Sequence, residues 1–136
     1  MIRPASLIVL ACLALTACGG GEQSASGAGD PYAGLDAEIR TWRADLEATN
    51  PQCAIKVAGK GCEAFEVTCK GARDLTAADQ AKGVTGKIIA AMTFRSTSAQ
   101  EGGGEPGSAF AEFSRAKGAW TRAEAKGVNL TTCAAF

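Results

Sequence analysis

The 136-residue chain has no histidine, so the side chain most often used as a general base and as a metal ligand is missing. It also has no Cys-x-x-Cys pair. Its later cysteines, spaced nine, seven and 64 positions apart, match no zinc knuckle or ribbon, and no metal site is expected. Neither charge sign is in excess, with 14 Lys+Arg against 14 Asp+Glu, which removes the electrostatic footprint of a nucleic-acid binder. Aromatic residues make up only 6% of the chain, so any core must rest on a few large side chains. The apolar run from Ala5 to Ala14 is too short to cross a hydrocarbon core, which takes roughly 20 residues.

That run is nonetheless informative. A basic start, Met1-Ile2-Arg3, precedes it, and small residues follow, the layout of a secretory signal. It ends in Leu15-Thr16-Ala17-Cys18, an aliphatic residue, two small ones and a cysteine. The motif resembles the lipobox of bacterial lipoproteins. The resemblance implies a signal peptide over 1–17, cleavage before Cys18, and diacylglycerol and acyl groups on Cys18. One acyl chain binds a membrane only marginally, whereas two or three hold it stably. Gly19 stands where inner-membrane lipoproteins of proteobacterial type usually carry aspartate. The resemblance therefore implies the outer membrane, facing the periplasm, with a Gram-positive surface as the alternative.

Removal of residues 1–17 takes Cys12 with it and leaves 119 residues, enough for one small domain. Residues 18–30 form the lipidated cysteine and a Gly-rich tether, because GGGEQSASGAGD has no large apolar side chain to bury. The globular domain is expected over 31–136.

Asp30-Pro31 reads as a helix start. Tyr32, Leu35, Ile39, Trp42 and Leu46 then recur every three or four residues, one apolar stripe that Asn50-Pro51 stops. Asp36 with Arg40, and Arg43 with Glu47, are placed to pair along the helix. Next, CAIKVAGKGCEAFEVTC alternates Ile55 and Val57, then Phe65 and Val67, around Gly-Lys-Gly, as a β-hairpin would.

The four remaining cysteines, Cys53, Cys62, Cys69 and Cys133, suit two disulfides in an oxidising compartment. Cys62 and Cys69 cannot pair along one strand. The hairpin register favours Cys53–Cys69 with Cys62–Cys133. The competitor, Cys53–Cys62 with Cys69–Cys133, holds if the first run is loop.

Further on, Thr76 and Asp79 approximate a capping box, and Gly83 suits the end of that short helix. Asp74 and Asp79 are thus loop and cap residues rather than a catalytic pair. Ile88, Ala90, Met92 and Phe94 alternate as the buried face of a strand. The glycines at 102–104 lack the Lys-Ser/Thr end of a phosphate loop and read as a connection. Residues 108–126 fit a hairpin turning at Lys117-Gly118, with Phe113 and Trp120 on one face, better than a helix interrupted by Gly118.

The expected fold is α+β, an N-terminal amphipathic helix packed on a mostly antiparallel sheet in a layout that resembles cystatins, with two disulfides. No nucleophile, base or metal set converges, so the chain is read as no enzyme and as needing no cofactor. A membrane-anchored binding or structural module of the envelope, with a protein or cell-wall partner, is the expected function. The alternative is an inhibitor of an envelope hydrolase such as a lysozyme or protease. The Ser-Gly-x-x-Tyr signature of lysozyme inhibitors is absent: Tyr32 is preceded by Gly29-Asp30-Pro31.

Overall fold

The computed structural model describes residues 30–98 and 103–136. Residues 1–29 lie outside them, and with them the expected signal, Cys18 and most of the expected tether. Helix α1 spans Leu35–Thr49 and leads into a single 3-10 turn at Pro51–Cys53. Strand β1 is Cys62–Arg73, α2 is Ala77–Ala81, β2 is Val84–Ser96, β3 is Pro106–Ala116 and β4 is Ala119–Glu124. The four strands form one antiparallel meander in the order β1-β2-β3-β4.

α1 begins later than Asp30-Pro31 suggests. The Asp30 carboxylate accepts from the Tyr32 N–H at 2.9 Å in a preceding turn, and the helix starts after Gly34, whose φ of 82° needs a residue without Cβ. It ends at Asn50, whose side chain turns to cap the 3-10 turn by accepting from the Gln52 N–H. The helix charges also pair outward among the described residues, not along the helix. Asp36 meets Lys70 at 3.6 Å, Asp45 meets Arg122 at 2.6 Å, and Arg43 lies over the Phe65 ring.

The apolar stripe shares one core cluster with the sheet. Leu35, Ile39 and Trp42 are buried with Ile88, Ala90, Met92, Ala111 and Phe113, and Trp42 meets Phe113 edge-on at 5.8 Å. β2 was expected to bury a single face, yet Ile89 and Ala91 are buried too. The cause is the C-terminal segment. It reverses at Gly127 (φ 64°) and brings Val128 and Cys133 over the back of the sheet. A β2 residue is therefore covered on both sides.

The disulfides are Cys53–Cys62 and Cys69–Cys133, which corrects the pairing favoured from sequence. β1 does put Cys62 and Cys69 on opposite faces: Cys62 packs with Phe94 on the helix side and Cys69 with Ala91 on the back. Cys53 is what differs. It sits in the 3-10 turn beneath the helix end, not on a strand. The expected hairpin around Gly-Lys-Gly shrinks to one bridge, Val57 with Lys60, across Ala58-Gly59, both with positive φ. Ile55 consequently does not face Phe65 and is 75% exposed. Cys133, in turn, reaches Cys69 because the tail crosses the back of the sheet instead of climbing toward Cys62.

Candidate functional site

The hairpin at Lys117-Gly118 forms as the sequence predicts, with φ of 52° and 79° at its two turn residues, and Ala116 pairs with Ala119. It places Trp120 on the helix side. There the indole N–H donates to the Ala33 carbonyl at 2.8 Å, and Arg115 donates to the Asp30 carbonyl at 3.0 Å. The entry of the chain into α1 is thus fixed at this end of the sheet. Loop 54–61 and the C-terminal end of β2 lie at the other end. Thr97 braces that loop, donating its hydroxyl to the Lys60 carbonyl and its backbone N–H to the Gly61 carbonyl.

On the back face, Lys87 lies between two carboxylates, 3.1 Å from Asp79 and 3.2 Å from Glu112. Asp79 belongs to a full capping box, accepting from the Thr76 hydroxyl and backbone N–H while Thr76 accepts from its N–H. The hydrogen bonds from Thr76, then that from Lys87, lower the Asp79 carboxyl to a pKa of about 2. Hydrogen bonds to Asp79 and Glu112 raise the Lys87 ammonium above its ordinary value. Both groups stay charged across the physiological range and clamp α2 to β2. This cluster ties elements together, and its lysine is a poor base. Asp74 is exposed on the loop before α2 and does not join Asp79.

A concavity of about 540 Å³ opens between the C-terminal half of α1 and the β3–β4 pair. Trp42, Asp45, Leu46 and Asn50 line it from the helix side, Ala109, Ala111, Arg122 and Glu124 from the sheet. The Asp45–Arg122 ion pair crosses it. Half-buried Ala109 and Leu46 beside the Asp45–Arg122 pair make it a mixed polar and apolar cleft. Sequence reading did not find this cleft. Its walls come from residues about 60 to 80 positions apart, and only the meander register brings them together.

No protein-family model matches this chain, and no curated protein or solved structure matches it either. Among the described residues, no cluster of three metal-ligating side chains forms and no helix is long and apolar enough to cross a membrane. Of the residues expected to carry function, the structure brings Cys53 to Cys62 and Cys69 to Cys133. Cys18 lies outside the described residues.

Proposed function

We propose that this chain is a lipid-anchored protein of the bacterial cell envelope, attached through Cys18, whose folded domain is a non-catalytic binding module. The observation that carries this reading is Leu15-Thr16-Ala17-Cys18 directly after a short basic start and an apolar run. Two disulfides support it, because such bonds persist in oxidising compartments such as the periplasm. Gly19 favours the outer membrane, with the domain facing the periplasm and meeting a protein or cell-wall partner. One helix followed by a four-stranded meander is similar in order to the cystatin layout. Layout lends no activity. The cleft between α1 and β3–β4 is the surface that a partner would use.

The anchoring test is metabolic labelling with a fatty-acid analogue. The wild type should take up label at Cys18 and begin at that residue when sequenced by mass spectrometry. Cys18→Ala should lose the label and keep residues 1–17. A wild-type chain that is unlabelled, or cut elsewhere, refutes the reading.

A further inference from the structure

β4 is much shorter than its neighbour. β3 pairs with β2 over residues 106–116 but with β4 only over 111–116. Among the described residues, the stretch 106–110 therefore has a strand on one side only. In an antiparallel ladder the N–H and C=O of one residue point to the same side, and the side alternates along the strand. The Phe110 carbonyl accepts from the Ala125 N–H at 3.1 Å, on the β4 side. The Pro106 carbonyl accepts from the Gln52 side chain at 3.3 Å. Ser108 lies between them in phase, so its N–H and C=O also point to the open side, and the residue is exposed. This unpaired donor and acceptor border the cleft. Ala109 and Ala111 form its floor, and Trp42 and Leu46 its helix-side wall.

We propose that this notch is a docking site for an extended peptide segment of an envelope protein, adding antiparallel to β3 in line with β4. The proposal rests on the binding-module reading above and gives that module its ligand class. A free N–H and C=O on an unpaired strand edge are the pair that the main chain of an extended polypeptide matches. The half-buried Ala109 and Leu46 offer an apolar contact to one side chain from the alternating face of the added strand. The other long edge is guarded. β1 carries register shifts at Glu63/Glu66 and Val67/Cys69 and a left-handed Ala64, irregularities that oppose strand addition. The β3 edge from 106 to 110 shows no register shift.

The test titrates the ¹⁵N-labelled full chain, held in detergent micelles, with the peptide acetyl-Thr-Val-Thr-Val-Thr-amide. The Ser108 and Phe110 amides and the Trp42 indole should shift together. Ser108→Pro removes the donor and should weaken binding about tenfold, the equivalent of one lost hydrogen bond. Ser108→Ala keeps the backbone N–H and should bind as the wild type does. A peptide N-methylated at its central residue leaves the protein untouched and should fail in the same way. No shift at millimolar peptide, shifts centred on the outer edges of β1 or β4, or equal binding of the N-methylated peptide would each overturn the proposal. Self-association through the same amides without peptide also overturns it, in favour of a second copy as occupant. Failed lipid labelling would refute the anchor and leave the notch standing. Intact labelling with a silent notch would do the reverse.

Discussion

Trp120 on β4 is hydrogen-bonded to the carbonyl of Ala33, 87 positions earlier, through its indole N–H. The bond ties the last strand to the turn that launches α1. Trp120→Phe keeps most of the ring and removes the donor. It is expected to cost about 1 kcal/mol, a fall in Tm of about 5 °C read by circular dichroism. A variant with unchanged Tm would show that the bond is idle.

The two disulfides close very different loops, nine and 64 positions long. On chain entropy alone the shorter stabilises by about 2.5 kcal/mol and the longer by about 4 kcal/mol. The Cys69→Ser/Cys133→Ser double variant should therefore melt below Cys53→Ser/Cys62→Ser. Non-reducing peptide mapping of the wild type should join Cys53 to Cys62 and find no free thiol among the four. The reverse order of melting would show that packing of Cys53 and Cys62 against Phe94 outweighs loop length.

Asp79 makes stability depend on acid. Its folded pKa of about 2 lies below the ordinary carboxylate value of 3.8, so its contribution is present above that value and is lost as pH falls through about 2. Denaturant titrations of wild type and Asp79→Asn should differ at pH 5 and converge below pH 2. Thr76→Ala, which removes the cap hydroxyl, should cost about 1 kcal/mol at neutral pH. A gap between wild type and Asp79→Asn that stays constant with pH would rule out the charged carboxylate as its source.

Gly107 lies where β3 passes under the Phe94 ring. A Cβ there would collide with that ring and with the Gln52 side-chain oxygen. Phe94 is 2% exposed and has little room to move. Gly107→Ala is expected to cost about 1–3 kcal/mol by overpacking, measurable by urea unfolding. A neutral result would mean that the start of β3 shifts freely.

Where local chemistry decides the structure, the sequence was readable. The stripe from Leu35 to Trp42, the Thr76–Asp79 box and the Lys117-Gly118 turn each depend on residues within about one helical turn or one hairpin. The region from Cys53 to Gly61 was not readable, because Ile55 and Val57 alternate like a strand. The 3-10 turn after Asn50 and the left-handed Ala58-Gly59 pair take those residues out of any ladder. Likewise Ile89 and Ala91 carry no mark of a second buried face, since their cover arrives from Val128 and Cys133, roughly 40 positions away. The cleft walls share that difficulty. Of the proposed anchor at Cys18 only the sequence speaks.

The bond from Cys69 to Cys133 also closes a covalent ring that contains β2, β3 and β4 whole. The exposed Gly103, between β2 and β3, lies on that ring. A protease that cuts the chain there produces two polypeptides but not two molecules, for the tail stays tied to β1. Such a nicked protein would still move as one body, and its parts would separate only when a reductant opened the ring.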